Sequence, residues 1–257
     1  MKNIFGFCED YDKIVYGLKH NLTLVRKTDY DAIFRGAAAG AGKVSLDKIS
    51  WFMPHVIPAD AEKFSISKTI ESKLKVPVAY RRRQCDMLSV PESTSFTWRL
   101  SVKTAPEKPK FIIVGFQTAK DDDQTKNPST FDHVNLRNAY VMLNSDHYPA
   151  VDHNLSFANQ TFSRVYDDAA IFGVKFFGMD ELITKSRITP RDYKTLYPLL
   201  TFDVSKQKDK LKSSVVDIQI KANFMENVPA NTRAFALVIS DKMLSFESDD
   251  NKMSVIY

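Results

Sequence analysis

Hydrophobicity with a period of two over the C-terminal stretch from Ser214 constrains the fold more than any other feature. Val216, Ile218, Ile220 and Ala222 alternate with Asp217, Gln219, Lys221 and Asn223, the pattern of a strand with one buried face. In Val228-Pro229-Ala230-Asn231, Pro229 presets φ and Asn231 tolerates the left-handed region, so the chain reverses there. Phe235, Leu237 and Ile239 resume the alternation, Ser240-Asp241-Lys242 breaks it, and Leu244 and Phe246 carry it on. Burying one such side chain is worth roughly 1.5–3 kcal/mol, so a set of them offsets the ordering entropy of the strands. The pattern predicts antiparallel β-sheet.

Upstream segments repeat the signal. Phe96, Trp98, Leu100 and Val102 alternate with Thr97, Arg99, Ser101 and Lys103. Phe111 to Phe116 reads FIIVGF, a continuous apolar run that predicts a strand central in its sheet or buried on both faces. Val134–Leu143 and Leu199–Val204 predict two more strands, Ser50–Met53 a short one closed by Pro54, and residues 11–27 one strand or a hairpin bent at Gly17. Pro77 confines Lys75–Tyr80 to an edge, or excludes it from a sheet. Asp60 is expected to cap a helix that turns Phe64 and Ile70 inward. A clearer helix runs from Gln160, with Phe162, Val165, Tyr166, Ala169, Phe172 and Phe176 spaced by three and four and Gly178 at its end. A shorter one starts at Thr189-Pro190. The residues thus predict a mainly β protein, a sheet sandwich with an inserted amphipathic helix.

At 257 residues, 44% of them hydrophobic, the chain can bury one large core, or one core and part of a second. No apolar run approaches the roughly 20 residues that span a bilayer. The start, MKNIFGFCEDYDK, lacks the apolar core of a signal peptide, so synthesis in the cytoplasm without membrane attachment is expected. Cys8 and Cys85 are read as free thiols.

Catalytic patterns are not found. GAAAGAGK (36–43) fails as a phosphate loop, because Ala37 stands where its first glycine belongs and Val44 follows Lys43; it reads as a flexible linker. His133, His147 and His153 each follow an aspartate, yet their spacing matches no metal motif, and such loop residues more often cap backbone amides. The expectation is a protein that is not an enzyme and holds no cofactor or metal. A net charge of +5 permits contact with nucleic acid without requiring it. The candidate contact residues are Arg81, Arg82 and Arg83, expected in a loop or rim, and Lys206, Lys208, Lys210 and Lys212. If extended, the four lysines line one edge, where they either discourage sheet-to-sheet aggregation or meet a neighbouring subunit or DNA.

Several blocks taken in order carry a family likeness: WFMPHV (51–56), STSFTWRLSVKT (93–104), EKPKFIIVGFQTAK (107–120), NPSTFDHVNLRNAYVMLNSDHYP (127–149), FDVSKQKDKLKSSVVDIQI (202–220) and ENVPANTRAFALVISDKML (226–244). The series resembles the double jelly-roll major capsid-like proteins of Maverick/Polinton-type virus-like elements integrated in animal genomes. The resemblance implies an antiparallel jelly-roll sandwich. Residues 1–44 would be the closing strands of an N-terminal jelly roll with its Gly/Ala linker, and 45–257 the C-terminal jelly roll. It also implies a structural subunit that forms homotrimeric capsomers and a capsid lattice in a virion. Its partners would be itself, other capsid proteins and packaged DNA held without sequence specificity. The competing expectation is a host-retained jelly-roll module that binds a carbohydrate or a protein.

Overall fold

A computed structural model describes residues 4–101, 108–179, 188–207, 216–249 and 252–256. The helices are α1 (Gly6–Asp10), α2 (Asp29–Ala32), α3 (Asp60–Glu71), α4 (Ser163–Phe177) and α5 (Pro190–Thr195). The strands are β1 (Val76–Ser89), β2 (Ser95–Arg99), β3 (Lys108–Thr118), β4 (Leu136–Leu143), β5 (Asp146–Tyr148), β6 (Leu200–Asp203), β7 (Ile218–Phe224), β8 (Thr232–Asp249) and β9 (Lys252–Ile256).

One sheet has the order β1-β8-β3-β6, with β9 also paired to β8, and the other the order β2-β7-β4-β5. In the first eight strands, first pairs with last, second with seventh, third with sixth and fourth with fifth. This is one antiparallel ribbon, doubled back between β4 and β5 and then rolled, so that β8 meets β3 and β7 meets β4. The product is a jelly-roll sandwich. The expected fold class is the one observed.

The chain divides into two compact units. One comprises Thr28–Lys43 and Arg83–Ser240 and holds the main core. Phe96 and Phe224 stack at 6.0 Å, and Phe116 meets both edge-on, at 6.3 and 5.6 Å. Around them Trp98, Val114, Val141 and Ile220 are buried. Along β3, Ile112, Val114 and Phe116 join this core, while Phe111 and Ile113 pack in a second cluster with Phe172 and Phe176 of α4. Both faces of the strand are covered, which accounts for its unbroken apolar run. Gly115 has a steric reason: a Cβ there would lie 2.6 Å from both Leu199 Cδ2 and Phe131 Cδ1.

β8 departs from the expected pattern in an instructive way. Its core-facing residues in this unit are Ala234, Ala236 and Val238, whereas Leu237 and Ile239 pack in the cluster beneath α4. The large side chains therefore serve the helix-covered face. The strand also runs without a break through Ser240-Asp241-Lys242. Helix α4 ends as expected at Gly178, whose φ of 64° is left-handed, and Thr189 caps α5 by accepting the Asp192 amide at 3.1 Å.

The other unit comprises Met1–Lys27, Val44–Arg82 and Asp241–Tyr257. Its core is small: Val78, Leu244 and Phe246 are buried, with Phe7, Tyr11, Val15 and Met253 against them. Here the structure differs from expectation. No strand precedes β1 among the described residues. Residues 11–27 and 50–53 are neither strand nor hairpin, and none of the described strands pairs with them. Helix α3 begins at Asp60 but buries none of its residues, and Phe64 stays exposed.

The glycine-rich stretch is fastened down and does not act as a free linker. Gln124, only 3% exposed, holds it with one amide. Its Oε1 accepts from Gly42 N at 2.8 Å and Arg35 Nε at 3.2 Å, and its Nε2 donates to Gly42 O at 2.8 Å and Asp29 O at 3.0 Å. Residues 28–43 accordingly belong to the main unit.

Candidate interaction surface

Arg81, Arg82 and Arg83 lie within β1, an edge strand, and not in a loop. Pro77 marks that edge, since a residue without an amide hydrogen is tolerated where no strand accepts one. Pairing with β8 on the other side carries the strand onward through the arginines. Arg81 is committed locally. Its backbone amide donates to Asp10 Oδ2 at 2.7 Å, its Nε reaches both Asp10 oxygens at 3.0–3.1 Å, and its terminal nitrogen forms an ion pair with the same carboxylate. The Asp10 hydrogen bond raises the Arg81 pKa further, and Asp10 thereby occupies part of the sheet edge. Arg83 lies over the Phe176 ring, with Cζ 5.6 Å from its centroid, a cation–π contact that leaves the side chain partly exposed. The three arginines therefore do not act as one cluster.

Lys206 is exposed in a bend just after β6, so the extended lysine row does not start there. Lys208, Lys210 and Lys212 lie outside the described residues. Beside Lys206, Asp203 accepts from Ser205 N and Oγ at 3.1 and 2.6 Å, and Lys175 stands 3.4 Å from it.

The histidines serve packing. His133 stacks on Phe157 at 4.6 Å, with its Nδ1 accepting the Asn135 amide at 3.1 Å, and His147 stacks on Tyr140 at 4.9 Å. His153 is half-buried, and its Nδ1 is buried without a hydrogen bond. Burial lowers the pKa of His133 and of His153, and the cations Lys194 and Arg164 respectively add to the effect. The aspartates before two of them bind other groups: Asp132 accepts from Thr118 N at 2.9 Å and pairs with Lys120 at 3.1 Å, while Asp152 accepts from Asn138 at 2.7 Å. No group of three or more metal-ligating side chains forms among the described residues.

A cleft of about 550 Å³ opens where the β1–β2, β3–β4 and β7–β8 connections meet, lined by Ser89, Val90, Asp121, Asp122, Asp123 and Arg233. Arg233 is paired with Asp121 at 2.8 Å, so the exposed charge at the mouth is acidic and unsuited to nucleic acid. Sequence reasoning did not find this cleft, nor Asp10, Gln124 and Phe176 as partners of Arg81, Arg35 and Arg83. Each contact joins residues far apart in the chain and carries no local signal. The free thiols Cys8 and Cys85 form no disulfide.

The profile of the family described as "double jelly roll-like domain" matches residues 1–244. No curated protein matches the chain. Among solved structures, the chain is similar to one in the cryo-EM structure of the Sputnik virophage, with 10% identity, a TM-score of 0.42, and 70% of this chain and 38% of that one covered. It is also similar to a chain of the PBCV-1 virus capsid, with 9% identity, a TM-score of 0.40, and coverages of 75% and 54%. A third similarity is to PBCV-1 VP54 fitted into a reconstruction of Sputnik, with 8% identity, a TM-score of 0.42 and the same coverages. The chain thus spans between 38% and 54% of the length of these solved chains.

Proposed function

The chain belongs to the double jelly roll-like domain family, and from that premise we propose that it is a capsid-like structural subunit, of the kind encoded by Maverick/Polinton-type virus-like elements. Copies associate around a three-fold axis into capsomers, the capsomers form a lattice, and the subunit resides in the virion. The protein performs no chemistry in this role. One observation carries the reading: the space between the two sheets is filled by interlocking aromatic and aliphatic side chains, Phe96, Phe116, Trp98 and Phe224 among them. A sandwich packed solid in this way is a building block whose working parts are its outer surfaces.

On this reading, residues 1–44 are the closing part of an N-terminal roll with its linker, and 45–257 carry the C-terminal roll, whose described strands start at Val76. Arg82, Arg83 and the lysines from Lys206 to Lys212 would meet neighbouring subunits or packaged DNA. Light scattering behind a sizing column, over a range of concentrations, tests the reading. Trimers or closed particles support it, whereas a folded 29.3 kDa monomer at every concentration favours the ligand-binding module. Changing the four lysines to glutamate tests the basic face: if assembly and DNA association both persist unchanged, that assignment fails.

A further inference from the structure

Residues 149–162 connect β5 to α4 without a helix or strand of their own, yet the segment is fixed. Leu155 and Phe157 are buried in the main core. The Leu155 amide donates to the Arg137 carbonyl at 2.7 Å, and Ser156 and Thr161 exchange backbone bonds of 3.1 and 2.9 Å. Asn138, itself buried, accepts the His153 amide at 3.0 Å and donates to Asp152 at 2.7 Å. Two histidines grip this strap: His153 lies within it, and His133 stacks on its Phe157 at 4.6 Å. We propose that the strap is a pH-sensitive latch, and that protonation of His133 and His153 releases residues 149–162 while the sandwich stays folded.

The geometry at both rings disfavours the imidazolium, in which each nitrogen carries a proton. His133 Nδ1 accepts the Asn135 amide at 3.1 Å, so a proton on that atom removes the bond and sets two donors against each other. His153 Nδ1 is buried with no partner, so a proton there has no acceptor. The surroundings oppose the charge as well. Facing His153 are the cation of Arg164 on α4 and the carboxylate of Asp152 in its own segment, while on the β6 side the ring meets Phe202 at 6.5 Å. Facing His133 are Lys194 on α5 and the adjacent Asp132, with Phe157 on the strap side. Both aspartates are engaged elsewhere, Asp132 with Thr118 and Lys120 and Asp152 with Asn138. When the strap lifts, the two rings lose their cover and return to the ordinary value of about 6.5. Below that pH each ring favours the open strap by up to about tenfold per unit, until its lower folded value is reached. Because both rings hold one segment, their effects multiply. Release uncovers Leu155 and Phe157, an apolar patch that the protein presents only in acid.

The experiment is residue-resolved hydrogen exchange on the full chain at pH 7.5, 6.5 and 5.5, with each rate divided by the intrinsic rate at that pH. Protection of the His153, Leu155 and Thr161 amides should fall at least about tenfold between pH 7.5 and 5.5. At pH 5.5 it should lie at least about tenfold below that of the β7 amides, which report the folded sandwich. The double variant His133→Gln, His153→Gln should flatten the pH dependence of the strap. Arg164→Gln, a change at an exposed position that leaves both rings in place, should reduce it, and this variant keeps the test open if the double variant does not fold. Strap amides protected to the same extent as β7 at every pH overturn the latch, since the histidines then act only through global unfolding. Strap protection that stays constant over this range overturns it too, as does a fall that persists undiminished in the variants.

Discussion

Replacing Gln124 tests whether one amide fastens the glycine-rich stretch to the sandwich. The side chain makes four hydrogen bonds, two of them with Gly42 at 2.8 Å. At about 0.5–1.5 kcal/mol net for each bond, a simple total is several kcal/mol. Gly42 and Arg35 lie on a surface stretch, however, where water replaces lost partners, so Gln124→Ala should cost about 2–3 kcal/mol. Gln124→Glu is more discriminating. Its carboxylate can still accept from Gly42 N and Arg35 Nε, but its second oxygen faces the carbonyls of Gly42 and Asp29, which now meet an acceptor. That variant should be destabilised at neutral pH and recover partly as the pH falls and the carboxyl gains a proton to donate. The readouts are urea unfolding at pH 7 and pH 4.5, each compared with the parent, and exchange rates at the Arg35 and Gly42 amides. If the alanine variant lies within about 0.5 kcal/mol of the parent and Gly42 remains equally protected, the fastening described here is wrong.

Other expectations are simpler. Gly115→Ala should cost about 1–3 kcal/mol, because the new Cβ meets Leu199 and Phe131 at 2.6 Å; an unchanged urea midpoint would refute the steric reading. Phe176→Ala should cost about 3 kcal/mol, since it removes a ring packed on Phe111 and Phe172 beneath Arg83. Thr189→Ala should lower stability by about 1 kcal/mol through loss of the α5 cap, a shift that thermal unfolding will register. Burial lowers the pKa of His133 and His153, so the unfolded chain takes up protons first as the medium acidifies. Their contribution to stability is complete above the unfolded value of about 6.5 and is lost as pH falls through it towards the lower folded values. Melting temperature should therefore drop between pH 7.5 and 5.5, and the drop should shrink in His153→Gln.

The parts legible in the sequence are those governed by local periodicity. Phe96, Trp98 and Leu100 announce β2, the spacing from Phe162 to Phe176 announces α4, and Thr189-Pro190 its shorter neighbour. Periodicity says less where both faces of a strand are covered. In β8 the larger residues Leu237 and Ile239 point to the helix and the smaller Ala234 and Ala236 to the core, so size did not report the inner face. The stretch at Ser50–Met53 shows the converse. Its residues have every property of a strand, but pairing requires a partner edge, and among the described residues none meets it. Contact residues were least legible of all. A run of three arginines looks alike whether a side chain in it is bound to Asp10 seventy-one positions away or laid over an aromatic ring on α4.

The rolled ribbon also has a consequence for how the chain is made. Leu143 pairs with Asp146 across a tight hairpin, Trp98 waits for Ile220, and Val90 donates to Thr232 near the far end. Partners are thus synthesised in reverse order, so the strands that leave the ribosome first are the last to be matched. Once β4 and β5 meet, each further pair closes a shorter loop than it would alone, because its predecessor already holds the ends nearer together. Until then, β1 to β3 have no partner within the nascent chain. The hairpin at Asn144 is where zipping can start at least entropic cost, and the interval before it emerges is when the apolar face of β3 needs shelter.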